Sequence, residues 1–167
     1  MIKEGWCLNI RPEFFKSLHE AMAENENIWA LTGDLGFGGF DKIREDFPQR
    51  FVNCGASEQT LVGIGVGLAL KGKIPFCYSI TPFLLRRAYE TIRLYVSGEK
   101  IPVKLIGSGR DKDYSHDGPS HDATDVRQLM TTLPNVIQYW PREETEIKRI
   151  VNKMVKNDQP SFLSLRR

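Results

Sequence analysis

Short apolar runs separated by amphipathic stretches recur from one end of this chain to the other, and that alternation leaves few architectures open. Pro12 fits the first turn of a helix running to about Glu24, with Phe14, Phe15, Leu18 and Met22 at helical spacing. IWALTGD (28–34) predicts a buried strand ending in a loop, Phe40 to Phe47 a short helix stopped by Pro48, and FVNC (51–54) a short strand. Residues 58–72, EQTLVGIGVGLALKG, predict an apolar helix that Gly72 stops. IPFCYSI (74–80) is a strand, Phe83 to Ser97 a helix closed by Gly98, and PVKLIGS (102–108) a strand. A polar loop from Gly109 to Asp122 follows, then a short helix (123–131), a strand (135–140), a helix (143–156) and a last strand (160–166). Strands alternating with helices predict an α/β fold: a mostly parallel sheet covered by helices.

The chain has 167 residues, enough for one compact α/β domain, so 1–167 is expected to be a single domain. With 41% hydrophobic and 26% charged residues it has a globular composition. A formal net charge of +2 gives no electrostatic case for nucleic acid or an anionic membrane surface. No apolar run approaches the roughly 20 residues that span a bilayer, and MIKEGWCLNI lacks a signal peptide's apolar core. Cys7, Cys54 and Cys77 have no metal-ligand spacing and fit reduced, structural thiols in a cytoplasmic protein.

Glu58 invites two readings. One is an ordinary acid in the first turn of a helix, favourable with the helix dipole by roughly 0.3–1 kcal/mol. The other is a carboxyl desolvated by Leu61, Val62 and neighbouring glycines, poised to trade a proton near neutrality. Gly63, Gly65 and Gly67 lie inside the helix rather than at a strand-to-helix turn, so they predict close packing or a subunit interface, not a dinucleotide fingerprint. The polar loop holds GRDKDYSHDGPSHD, and long loops at the carboxyl ends of strands are where open α/β sheets bind ligands. His116 and His121 do not have zinc spacing; with Asp117 and Asp122 they fit a pocket for hydroxylated substrates. His19 is expected to be a surface or partly buried helix residue. Gly33-Asp34-Leu35-Gly36 departs from a magnesium-binding GDG, and neither a G-x-S-x-G nor a P-loop is present.

Three separated blocks carry a resemblance. FPQRFVNCGASEQTLVGIGVGLALKGKIPF (47–76), DGPSHD (117–122) and LPNVIQYWP (133–141) resemble, in order and spacing, the pyrimidine-binding domain of transketolases and the related deoxyxylulose-phosphate synthases. The resemblance implies the three-layer thiamine-diphosphate-binding fold, with helices on both faces of the sheet. It implies that Glu58 hydrogen-bonds N1′ of the cofactor's aminopyrimidine and that Phe83 stacks on that ring, with Tyr78 and Phe76 as alternatives. Asp34 matches an acid near the cofactor and the dimer interface. Asp117 and His121 match a pair contacting substrate hydroxyls, and Arg11 an arginine that helps bind sugar phosphate. The sequence departs from the pattern at Gly109, eight positions before Asp117, where transketolases carry a further substrate histidine, and at Gly38, where a serine helps hold phosphate.

The family's diphosphate-binding domain, which holds the metal, has no counterpart in these residues. The resemblance therefore implies a subunit that acts with a separate chain carrying that domain and Mg²⁺, in a two-fold dimer or heterotetramer, on a ketose or sugar phosphate. Two alternatives stay open: a non-catalytic or regulatory module, and a synthase-like or 2-keto-acid-decarboxylating subunit.

Overall fold

A computed structural model describes residues 9–167; Cys7 and the rest of the first eight residues lie outside them. The chain runs α1 (Arg11–Glu24), β1 (Ile28–Thr32), α2 (Asp41–Asp46), β2 (Phe51–Asn53), α3 (Glu58–Leu70), β3 (Ile74–Ile80), α4 (Thr81–Arg87), α5 (Tyr89–Thr91), a π-helical segment (Ile92–Gly98), β4 (Lys104–Ser108), α6 (Val126–Met130), β5 (Ile137–Tyr139), α7 (Ile147–Lys156) and β6 (Ser161–Leu165). The six strands form one sheet in the order β2-β1-β3-β4-β6-β5, with every pairing parallel.

Helices cover both faces, giving the three layers the sequence predicts. Phe14, Leu18 and Met22 of α1 and Ile147, Val151 and Met154 of α7 pack on Phe76, Tyr78, Ile106 and Leu163 on one face. Leu61 and Val62 of α3, Leu84 and Leu85 of α4, and Met130 of α6 pack on Leu31, Cys77, Leu105 and Phe162 on the other. Each such fully buried side chain contributes roughly 1.5–3 kcal/mol of transfer free energy. Successive strand residues alternate between these layers, so the register of β3 sends Phe76 and Tyr78 one way and Cys77 the other.

The glycines of α3 divide in their roles. A Cβ at Gly65 would lie 2.6 Å from Cys77 Sγ, so its absence lets α3 close on β3. Gly63 and Gly67 have no heavy atom within 4 Å of such a Cβ and sit on the outward face beside exposed Ile64 and Leu70.

Several elements are shorter than the sequence predicts. β1 stops at Thr32 because the chain turns at Gly33 and Asp34, where φ is +59°. The single helix expected over 83–97 begins two residues earlier, at Thr81 with Pro82 in its first turn, and loses its α geometry at Ala88. It ends as a π-helix in which Glu99 N–H reaches back five residues to Leu94 C=O at 3.1 Å.

Strand order reverses between β1 and β3: β1 leads to β2 on one side and neighbours β3 on the other. Crevices of this kind, at the carboxyl ends of parallel strands, are the usual binding sites of open α/β sheets. The turns after β1 and β2 meet the end of β3 here.

Candidate active site

The first residue of α3, Glu58, does not reach solvent from its helix end. Its residue surface is 2% exposed, and the carboxylate lies across the β1–β3 crevice. Ser79, at the end of β3, donates its hydroxyl to Oε1 at 2.8 Å. Arg87 Nη1 donates to Oε2 at 2.8 Å from the last residue of α4. Gly33, just past β1, walls the same spot: a Cβ there would lie 3.5 Å from Glu58 Oε1 and 3.4 Å from Ser79 Oγ. The surface helix-end reading thus gives way to a buried carboxylate, and its desolvation is met by two donors.

Phe83 stands one helical turn before Arg87, and the Arg87 guanidinium carbon lies 3.8 Å from its ring centroid. The His121 ring meets Phe83 edge-on at 4.7 Å between centroids. Glu58, Phe83 and His121, far apart in sequence, are therefore joined through one arginine and one aromatic ring. Tyr78 and Phe76 are not part of this group. Both are buried in the opposite layer, where Tyr78 packs against Phe14, Phe15 and Phe40. Of the three aromatic candidates, Phe83 is thus the one that Arg87 joins to Glu58. Burial pushes the Tyr78 phenol up to about 12.

Asp34 occupies the left-handed region on the turn after β1. Its amide donates to Asn53 Oδ1 and its Oδ1 accepts from Asn53 Nδ2, both at 3.0 Å, which ties the β1 and β2 turns together. Asp117 and His121 sit on consecutive single turns, Ser115–Asp117 and Pro119–His121, either side of Gly118, where φ is +90°. Asp117 is exposed, with a carboxylate oxygen 3.2 Å from His116 Nε2.

Buried Arg110 anchors the loop carrying these turns. Its Nε donates to Ser164 Oγ at 3.1 Å, its Nη1 to the Pro141 carbonyl at 2.9 Å, and its Nη2 to the Ser164 carbonyl. Burial pulls its guanidinium down to about 10. A Cβ at Gly109 would collide with the Tyr114 ring, so Tyr114 fills the room that a side chain at 109 would need. The Tyr114 hydroxyl pairs with Ser108 Oγ and accepts from Arg11 Nη1, both at 2.9 Å.

Arg11 and Gly38 also meet in a cleft of about 820 Å³ between α1 and the 36–43 segment. Lys16, His19 and Lys42 line it as well; His19 itself is held by Asp46 at 2.7 Å. Glu58 is not among the lining residues, so the cleft is separate from the Glu58 group; Arg11 links its wall to Tyr114.

Sequence reasoning missed Ser79, Arg87, Tyr114 and Arg110. A serine in an apolar strand is the faint signal for the first; nothing local distinguishes Arg87 from Arg86 beside it. Among the described residues no group of three or more His, Cys, Asp or Glu could hold a metal, and no helix is long and apolar enough to cross a membrane. Burial raises the thiols of Cys54 and Cys77, and both are free.

A six-stranded parallel sheet with helices on both faces is the α/β architecture of transketolase pyrimidine domains. The family model for the transketolase pyrimidine-binding domain matches residues 8–167, and the chain belongs to that family. A Methanocaldococcus jannaschii protein named as a transketolase C-terminal section is 30% identical over 100% of this chain and 54% of its own length. The 6-deoxy-6-sulfo-D-fructose transketolase subunit SqwH of a Clostridium species is 26% identical over 99% of this chain and 51% of its own. A solved split-gene transketolase, an inactive β4 tetramer, superposes with a TM-score of 0.84 at 31% identity, over 97% of this chain and 52% of that one. The chain spans about half the length of the curated relatives it matches.

Proposed function

We propose that this chain is the aminopyrimidine-binding subunit of a thiamine-diphosphate enzyme of transketolase type, moving a two-carbon ketol unit from a ketose or ketose phosphate to an aldose. The carrying observation is Glu58: a carboxylate 2% exposed, at the β1–β3 switch point, joined through Arg87 to the half-buried ring of Phe83. An aminopyrimidine fits that arrangement, because it offers a ring nitrogen to the carboxylate and a flat face to Phe83. When bound, thiamine diphosphate supplies the electron sink for carbon–carbon cleavage.

The chain's own residues position and relay protons. Glu58 shares a proton with the ring nitrogen N1′, and Ser79 fixes the carboxylate's orientation for that exchange. Phe83 stacks on the ring. Asp34 holds the neighbouring turn against Asn53 where cofactor and partner would approach. His121 and Asp117 offer hydrogen bonds to substrate hydroxyls. Arg11, with Lys16 and Lys42 in the adjoining cleft, suits the anionic end of a sugar phosphate.

The diphosphate and its Mg²⁺ belong to a partner chain. The outward face of α3 (Gly63, Ile64, Gly67, Leu70), with exposed Leu94 and Tyr95 of the π-helix, supplies the apolar surface for assembly. A closed two-fold dimer or heterotetramer is the common solution for such pairs. The names of the split-gene relative and the SqwH subunit support a two-component enzyme.

The test is reconstitution. The chain alone is expected to be inert, and mixing it with a diphosphate-binding subunit, thiamine diphosphate and Mg²⁺ to give transketolase turnover. Glu58→Ala, with an unchanged circular dichroism spectrum, should abolish that turnover; full activity would overturn the assignment.

A further inference from the structure

Arg87 makes, with one side chain, both of the contacts that an aminopyrimidine is proposed to make. Its flat guanidinium lies 3.8 Å from the Phe83 centroid, and its Nη1–H meets Glu58 Oε2 at 2.8 Å. A guanidinium and a protonated aminopyrimidine present the same face to this slot: a planar π system with an N–H aimed at a carboxylate. The two cannot occupy it together.

The two ends of the ion pair differ in what they would lose on parting. Glu58 is 2% exposed and would keep only the Ser79 hydroxyl if Arg87 left, and a buried charge without a charged partner is strongly disfavoured. Arg87 has 48% of its side chain exposed, and its head can turn into water at little cost. The helical spacing from Phe83 to Arg87 lets the side chain fold over the ring or swing outward with no change in α4.

We propose that Arg87 is a placeholder. It occupies the ring slot of the unloaded subunit, keeps Glu58 partnered, and is displaced when an aminopyrimidine enters. Entry is then an exchange of one donor for another at Glu58 Oε2, and the carboxylate is never left bare. This rests on the aminopyrimidine assignment above and adds a competitor for the slot. Arg87 therefore opposes ring binding in the isolated chain, the reverse of what a residue beside a ligand site ordinarily does.

The test is a titration of the full chain with a probe that carries no diphosphate, 4-amino-5-hydroxymethyl-2-methylpyrimidine, whose ring nitrogen takes up a proton from solvent as it enters, followed by NMR so that weak binding is measured. Arg87→Met is expected to bind the probe about tenfold tighter than the unsubstituted chain, the equivalent of one charge-assisted hydrogen bond no longer broken. Arg93→Met, which removes an exposed arginine of the π-helix, should bind as the unsubstituted chain does and controls for charge. A second readout needs no variant. Raising salt should tighten probe binding to the unsubstituted chain, because the half-exposed ion pair it must break is screened. Equal or weaker binding by Arg87→Met, or no salt dependence, overturns the placeholder and leaves the aminopyrimidine assignment standing. No saturable binding by either protein overturns both.

Discussion

Two charged side chains are buried at opposite ends of the sheet, and the protein treats them differently. Lys104 opens β4 with 1% of its surface exposed. Its Nζ donates to the Asn157 carbonyl at 2.9 Å, Asn157 Oδ1 at 3.1 Å and the Gln159 carbonyl at 2.6 Å. Three donors meet three acceptors, all from the one turn that joins α7 to β6. Glu58, at the other end, has an oxygen bonded to Ser79 and another held by a half-exposed arginine. The lysine is saturated by partners that cannot leave without unfolding the turn. The glutamate keeps one partner that can leave. Burial of a charge alone does not separate Lys104, a structural group, from Glu58, the group proposed to be catalytic; the proposed difference is the exchangeability of their partners.

The strongest way to break this contrast is to neutralise each charge at nearly constant shape. Glu58→Gln is expected to lower turnover of the reconstituted enzyme by about 10²–10⁴-fold, the usual worth of general acid–base help, with little change in Tm. Lys104→Met should leave turnover intact and alter stability alone. If the two substitutions affect turnover equally, the division of roles fails.

Next in size is the pH dependence of stability. Burial lowers Lys104 from 10.5 to about 8, with Asp158 partly offsetting it. Below pH 8 the amine is charged in both states, and the folded state bears the desolvation cost in full. Between pH 8 and 10.5 the folded protein sheds this proton while the unfolded chain keeps it. The unfolded state then binds more protons, so stability gains with rising pH and the gain levels off above 10.5. The difference in unfolding free energy between the unsubstituted chain and Lys104→Met should shift by up to about 3 kcal/mol in favour of the unsubstituted chain across that window. Urea titrations at several pH values measure it; a flat difference would show that the three acceptors fully offset burial.

Much of the fold was legible in the sequence because it rests on local periodicity. The apolar strands and the amphipathic α1 and α7 follow from patterns within a few residues. The change of helix type beyond Arg87 was not legible, since buried Ala88, Ile92 and Val96 keep a four-residue spacing that an α-helix also shows. In the site, the ordered blocks around Glu58 and DGPSHD carried the family resemblance. Ser79 and Arg87 escaped because their roles are set by long-range register. Ser79 faces Glu58 only because β3 sends alternate residues to the α3 layer, and Arg87 only because α4 ends above that glutamate. The same register excludes Tyr78, one residue away from Ser79.

A smaller effect sharpens the lysine side of the comparison. Asn157 gives Lys104 its side-chain acceptor and also bonds Tyr139 through Nδ2 at 3.4 Å. Asn157→Ala should cost about 1–2 kcal/mol with no change in turnover, and should lower the Lys104 titration further. NMR titration of the Lys104 amine reads this directly; an unchanged midpoint would mean that the two carbonyls suffice.

The smallest expected effect falls on Ser79. Ser79→Ala removes one hydroxyl donor from Glu58 Oε1 but leaves Arg87 on Oε2, so folding should weaken by about 1 kcal/mol or less. Its value lies in how it divides between loaded and unloaded protein. With Arg87 in place the carboxylate keeps a charged donor and the loss is cushioned. Once a ring displaces Arg87, Ser79 is the remaining protein donor, and its absence should be felt more. Ser79→Ala is therefore expected to reduce turnover severalfold in the assembled enzyme while moving Tm of the isolated chain only slightly. A variant whose Tm falls steeply while turnover is kept would instead make Ser79 a packing residue, and Glu58 a charge held as rigidly as Lys104.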